Sequence, residues 1–255
     1  MLHGPCFVLS DAHLGPAPAE AETSLLALLA RAKTEAKSVV LNGDMFDFWF
    51  EWKHVMPRVG FRTLAALAAL RDAGVEVLWI AGNHDCWGGE ILTHDVGVTY
   101  HIGPWRGPIA GWNTMIEHGD GLRDKEDAPY RRLRAVLRHP LAIRIFRWIH
   151  PDIATWIALR TSHTSRNMRP RDRGAGLALV ANERLTSDPS LELYLYGHSH
   201  APVVGFAAKG GAFANPGAWM DAPTFLRITS ERVELATLDG AAMGGVRVME
   251  TIEKK

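Results

Sequence analysis

The chain has 255 residues, with 28 basic and 28 acidic side chains that leave a formal net charge of zero at pH 7. That length allows one large domain or two small ones, and 47% hydrophobic with 22% charged residues is an ordinary globular composition. Disorder as the main state is excluded, and a dedicated nucleic-acid binder, which would be more basic, is not expected. Two cysteines, Cys6 and Cys86, exclude a disulfide framework and a cysteine-rich zinc module and fit a reducing, cytoplasmic setting. Neither a signal peptide nor a membrane span is expected.

In chain order, the apolar run 6–9 reads as a strand, 19–33 as a helix by its three- and four-residue apolar spacing, and 38–41 as a second strand. A helix over 57–72 stops at Gly74, and a strand over 75–81 ends at Gly82-Asn83. Strands alternating with helices predict a parallel sheet with a helical cover. After Tyr100 the pattern loosens around Gly103, Pro104, Gly107 and Pro108 until a strand over 113–117. A helix is expected over 175–185. Strands over 191–196, 203–208, 225–229, 233–238 and 246–252 then predict a second, mainly antiparallel sheet.

Residues 122–173 differ from both flanks, because they hold 13 basic and 5 acidic side chains, a local charge of +8 that leaves −8 for the rest. Leu141, Ile145, Trp148, Ile149, Ile153, Trp156 and Ile157 recur there at helical spacing around Pro151, while Arg144 borders that stripe and Arg147 falls off it. The expected division is a core over 1–121 and 174–255 with an inserted, basic, amphipathic helical lid over 122–173.

Four of the early strands end in clusters of metal-ligand side chains, where open α/β sheets place their sites. These are Asp11-Ala12-His13, Gly43-Asp44, Gly82-Asn83-His84-Asp85 and His118-Gly119-Asp120; Gly197-His198-Ser199-His200 follows the strand near 195. Residues two apart on an extended segment point the same way, so Asp11 and His13 can reach one ion. One Asp-x-His is weak on its own, but five ordered clusters, most with glycines that permit sharp turns, are not coincidence.

Together, Asp11-x-His13, Gly43-Asp44-x-x-Asp47, Gly82-Asn83-His84-Asp85, His118-Gly119-Asp120 and Gly197-His198-x-His200 resemble the full motif set of the calcineurin-like metallophosphoesterases. The resemblance implies an α/β fold, a four-layer αββα sandwich with a two-metal centre at the sheet edge. One ion would take Asp11, His13 and His200, the other Asn83, His118 and His198, and Asp44 would bridge them. A ligand set of nitrogen and oxygen without thiolate suits Mn²⁺ first, with Fe or Zn²⁺ also fitting. The ions would acidify water and neutralise phosphoryl oxygens. His84, with Asp85 beside it, would stand at the phosphate to stabilise charge or protonate a leaving oxygen. Asp47, Asp85 and Asp120 are candidates to orient ligand imidazoles.

Asp124 to Asp127, Tyr130-Arg131-x-x-Arg134, Pro140-Leu141 and the stretch 160–169 look like the UDP-2,3-diacylglucosamine diphosphatases of the lipid A pathway, as do Ser10-Asp11-x-His13-Leu14-Gly15 and Gly43-Asp44-x-Phe46-x-Phe48-Trp49. That resemblance implies cleavage of a UDP-linked diacylglucosamine to UMP and the acylated sugar phosphate. It also implies substrate contacts from Asp127, Tyr130, Arg131, Arg134, Arg160, Ser162, Arg166, Asn167 and Arg169, and peripheral attachment to the cytoplasmic face of the inner membrane through anionic lipid. The subfamily typically carries Arg after the metal-binding Asn, whereas this chain has His84. Arginine cannot give up a proton at neutral pH and a UMP leaving group needs none, while an alkoxide does. A general phosphodiesterase or phosphatase acting on nucleotides therefore stands as the alternative. A non-catalytic scaffold would have lost ligands, and every ligand position is filled here. Residues 215–219 read as a turn without chemistry.

Overall fold

A computed structural model describes residues 1–167, 172–239 and 244–254, apart from the side chains of 161–167. β1 (Cys6–Leu9), β2 (Ser38–Asn42), β3 (Glu76–Ile80) and β4 (Thr99–His101) run parallel in one sheet. Alternate residues of these strands serve two cores. Phe7, Leu9, Val39, Leu41, Val77 and Trp79 meet Leu25, Leu28, Leu64 and Leu67 of α1 (Ala19–Glu35) and α2 (Phe61–Asp72). Cys6, Val8, Val40, Leu78 and Ile80 face the other way, onto a second sheet. Burial on both faces explains why these strands read as continuous apolar runs.

The second sheet contains β5 (Trp105–Ile109), β6 (Trp112–Ile116), β7 (Leu193–Leu195), β8 (Val203–Phe206) and β9 (Ala212–Asn215), in the order β5-β6-β7-β9-β8. Leu177, Ala181 and Leu185 of α6 (Ala175–Ser187) cover its outer face at Tyr194 and Tyr196. The result is the four-layer αββα arrangement.

Three features depart from the sequence expectation. The late strands do not form one antiparallel sheet. β7 pairs parallel with β6 and β9, whereas β10 (Thr224–Ile228), β11 (Arg232–Asp239) and β12 (Gly245–Glu253) return to the first sheet, with β10 antiparallel to β1. β4, β5 and β9 were hidden: β4 has three residues, and Gly107 and Pro108 interrupt β5, which tolerates a proline because it is an edge strand. Finally, α2 starts at Phe61 rather than 57, after Gly60 at φ 75°, where a β-carbon would lie 1.8 Å from the Phe46 ring.

The basic stretch forms α3 (Ala128–Leu137), α4 (Pro140–Arg147) and α5 (Pro151–Asn167). Ala154, Phe146 and Ile149 pack on Phe48, Phe50 and Trp52 of the body, with the Phe50 and Phe146 rings 4.9 Å apart. Of the predicted apolar stripe, Ile149 turns inward in this way. Leu141, Ile145, Ile153 and Trp156 are exposed, and Trp148 is 87% exposed. Arg123 Nη2 pairs with Asp127 Oδ1 at 2.6 Å and its Nη1 lies 3.7 Å from Asp172 Oδ2, which joins the first and last turns of the stretch.

Candidate metal centre

Asp11 and His13 follow β1, Asp44 follows β2, Asn83 and His84 follow β3, His118 follows β6, and His198 and His200 follow β7. Among the described residues, the ligand atoms of Asp11, His13 and His200 lie within 4.8 Å of one another, as do those of Asp44, His118 and His198. A third set, His13, Asp44 and His84, joins the two and puts Asp44 between them. Sequence separations approaching two hundred residues are therefore closed.

The loops are interlocked by their own backbone. Asp11 N–H donates to Gly43 O at 3.0 Å, His13 N–H to Asp44 O at 2.9 Å, and Gly197 N–H to His118 O at 2.8 Å. Carboxylates lock further pairs: His84 N–H donates to Asp44 Oδ1 at 2.9 Å and His198 N–H to Asp11 Oδ2 at 3.0 Å. Asp11, His13, Asp44, His198 and His200 all have positive φ, between 42° and 60°. For side chains with a β-carbon that conformation costs about 1–2 kcal/mol each, and such strain concentrates at functional sites. Gly82 is needed for a different reason: a β-carbon there would sit 2.1 Å from Asp44 Oδ1.

The donor set fits divalent cations. Asp11 Oδ1, both ring nitrogens of His13, Asn83 Oδ1 and His118 Nε2 are buried with no hydrogen-bond partner. Each such orphan costs about 1–3 kcal/mol unless something takes its lone pair or, at one of the two His13 nitrogens, accepts its proton. His118 Nδ1 lies 2.8 Å from the Asn42 carbonyl, which can only accept, so the proton is on Nδ1 and the Nε2 lone pair points into the site, 3.2 Å from Asp44 Oδ2. Electrostatics agree. Burial alone would raise the Asp44 carboxyl, but the surrounding His118, His84 and His13 imidazoles hold it well below the usual range. Burial would likewise depress His118, but the facing Asp44 carboxylate lifts it well above its ordinary value, so an ion would take the Nε2 lone pair by displacing a proton.

The three candidate orienting carboxylates have different surroundings. Asp47 Oδ1 lies 3.5 Å from His13 Nδ1, and the Asp47 carbonyl is 2.8 Å from His84 Nδ1. Asp85 instead accepts from Gly82 N–H at 2.7 Å, Met45 N–H at 2.9 Å and Trp79 Nε1–H at 3.1 Å. It ties the loops after β2 and β3 together, so the catalytic role read for it beside His84 becomes one of positioning. Burial and the Asp44 charge push its carboxyl up to about 6. Asp120 anchors α3: Tyr130 Oη donates to its Oδ2 at 2.7 Å, Arg138 Nη2 approaches the same oxygen at 3.4 Å, and Arg134 Nη1 donates to its carbonyl at 3.0 Å.

Much of the expected substrate set is likewise occupied in holding the helices. Arg131 Nη1 donates to the Arg123 carbonyl at 2.8 Å and Asp127 pairs with Arg123, while the Arg160 guanidinium stacks 4.3 Å over the exposed Trp156 of its own helix. Tyr130 also lines a cavity of about 330 Å³ that begins at Asp47, Asn83 and His84 and continues between Phe48, Phe50 and Trp87 of the body and Leu133, Leu137 and Phe146 of the helices. The Ser162, Arg166 and Asn167 side chains and all of Arg169 lie outside the described residues. The sequence reading did not name Phe48, Phe50 or Trp87 as walls of a cleft, although Phe46, Phe48, Trp49 and Phe50 crowd the segment after Asp44.

Comparison with known proteins adds three findings. Residues 4–202 match the family described as calcineurin-like phosphoesterase. The UDP-2,3-diacylglucosamine hydrolase of Porphyromonas gingivalis is 32% identical over 218 residues, 77% of this chain and 83% of that protein, and that of Nitrosococcus oceani is 25% identical over 203 residues, 78% and 79%. A crystal structure of a Vps29 single mutant from Entamoeba histolytica superposes with a TM-score of 0.50 at 15% identity, covering 97% of this chain and 98% of that one, a likeness of fold alone.

Proposed function

Because the chain belongs to the calcineurin-like phosphoesterase family and is a metal-dependent phosphoester hydrolase, we propose that it cleaves the pyrophosphate of UDP-2,3-diacylglucosamine to UMP and the acylated sugar 1-phosphate. The observation that carries this reading is the apolar cavity opening at Asn83 and His84. A nucleotide alone has no use for a cleft walled by Phe48, Phe50, Trp87, Leu137 and Phe146, whereas a fatty chain buried there gains about 0.8 kcal/mol per methylene. Its volume falls in the range of small-molecule sites, about 300–1,000 Å³. The similarity to UDP-2,3-diacylglucosamine hydrolases supports the same substrate.

Asp11, His13 and His200 would hold one divalent ion, Asn83, His118 and His198 the other, with Asp44 between, and Mn²⁺ is the proposed metal. When bound there, the ions would acidify water and neutralise charge on the phosphoryl oxygens. The chain's own groups do the rest. Asp85 and the Asp44 carboxylate hold the loops after β2 and β3 in register. His84 donates from Nδ1 to the Asp47 carbonyl, which turns Nε2 to the phosphate, where a protonated ring stabilises the departing oxygen. The inserted helices exclude water from the acyl chain and place it beside these groups. Exposed Leu141, Ile145, Trp148, Ile153 and Trp156 with Arg144 and Arg147 on the same helices suit an anionic membrane surface, the cytoplasmic face of the inner membrane in this reading.

Purified protein supplied with Mn²⁺ is expected to release UMP from UDP-2,3-diacylglucosamine in detergent and to leave UDP-N-acetylglucosamine, which lacks the fatty chains, almost untouched. His84 favours the second reading, a phosphodiesterase with an alkoxide leaving group. Cleavage of bis-para-nitrophenyl phosphate or a cyclic nucleotide with the lipid left intact would establish it and overturn the first.

A further inference from the structure

The loop from Asn215 to Ala222 carries no motif chemistry, yet it is bonded to both ligand loops of one ion site. Trp219 N–H donates to Ser10 O at 3.1 Å and Met220 N–H to Asp11 O at 3.2 Å, which grips the segment carrying Asp11. Asn215 Nδ2 donates to Gly197 O at 3.2 Å and to Ser199 Oγ at 2.8 Å, which grips the segment carrying His200. The Trp219 indole anchors the loop, donating to Ala21 O at 2.9 Å from a site only 1% exposed. Asp221 N–H closes a tight turn on Ala218 O at 3.0 Å. The carboxylate at the end of that turn then places Oδ2 3.3 Å from His200 Nδ1, while His200 Nε2 lies 3.5 Å from Asp11 Oδ1.

We propose that Asp221 is a positioning residue for the metal site formed by Asp11, His13 and His200, holding His200 in the tautomer and orientation that bind the ion. The proposal rests on the ligand assignment made above. An ionised carboxylate only accepts, so the shared proton is on Nδ1 and the Nε2 lone pair is directed at the ion. A charged acceptor also makes the imidazole a stronger donor to the metal. His200 needs this bracket more than His118 does, because its ring is 14% exposed against 1% and its backbone is left-handed. His118 is backed by a neutral carbonyl from Asn42. The two ion sites therefore differ in their outer partners, and loss of the carboxylate weakens one of them.

The test is Mn²⁺ titration of the metal-stripped, full-length protein, with free Mn²⁺ counted by electron paramagnetic resonance. Wild type is expected to bind two ions and H200A one. D221N and D221A are expected to bind two, with one of them weakened about 10- to 100-fold and the other unchanged; D221N can turn its amide N–H to Nδ1 and so select the wrong tautomer. D221E, which keeps an acceptor, is expected to lose less than either. Because the Asp221 side chain is 43% exposed, the urea midpoint of the metal-free protein is expected to stay at the wild-type value. Wild-type affinity at both sites in D221N, equal losses in all three variants, or a matching fall in metal-free stability would overturn the proposal. Two ions retained in H200A would instead overturn the ligand assignment beneath it.

Discussion

His84 has two separable connections. Its backbone N–H holds Asp44 Oδ1 at 2.9 Å, and its ring donates to the Asp47 carbonyl at 2.8 Å. Removing the ring leaves the backbone bond in place, so His84→Ala is expected to lower kcat by about 10²- to 10⁴-fold with both ions retained, as measured by metal content and turnover on one preparation. Loss of an ion would show instead that the His13, Asp44 and His84 set binds metal. The seven proposed ligands were legible because each sits in a short motif at the end of an apolar run. Asp221 was not, because it lies 21 residues beyond His200 with no His or Gly signature of its own. The direction of the Asp85 carboxylate was not legible for a related reason: its neighbour His84 faces the site, while its own carboxylate turns to Trp79, Gly82 and Met45. Adjacency in sequence says nothing about which side of the loop a side chain takes.

At the level of elements, the central strands were legible almost to the residue because burial on both faces confines polar residues to the strand ends. Short edge pieces such as β4 and β5 were not, since tertiary pairing rather than local preference makes them strands. The helices of 122–173 were legible as helices, but their attachment was not, because Asp120, Tyr130 and Arg134 read from sequence as substrate or ligand-orienting groups. Their neck titrates. Burial would raise the Asp127 carboxyl, but hydrogen bonds from the Arg123 side chain and backbone outweigh it and hold the group below its ordinary 3.8. A depressed folded-state value stabilises the fold above pH 3.8, and that contribution is lost as the pH falls below it toward the folded value. Asp127→Asn is therefore expected to lower the thermal midpoint at pH 7 and to approach wild type at pH 3, a convergence that melting at the two pH values would detect.

Across the whole molecule, charge is separated between a stretch at +8 and a remainder at −8. Among the described residues no helix is long and apolar enough to cross a membrane. An anionic bilayer would attract the helical side and repel the body, so the molecule would approach helices first. Cosedimentation with vesicles containing phosphatidylglycerol is expected, with much weaker association to pure phosphatidylcholine. Raising the salt to about 1 M, where the Debye length is about 3 Å, should remove most of the attraction, and Trp148→Ala, at an 87% exposed position, should weaken what remains. Binding that ignores lipid charge would reject this orientation.

Gly121 at φ 77° and Gly174 at φ 88° stand just outside the stretch that supplies the helical wall of the cavity, and Arg123 and Asp172 draw its two ends together. Every proposed metal ligand lies outside those glycines. Changes between them can lengthen, shorten or reshape the greasy sleeve while the phosphorus-cleaving machinery stays as it is. In the proposed reading, tail-length preference can thus drift under selection through these helices while Phe48, Phe50 and Trp87 keep the body's side of the sleeve.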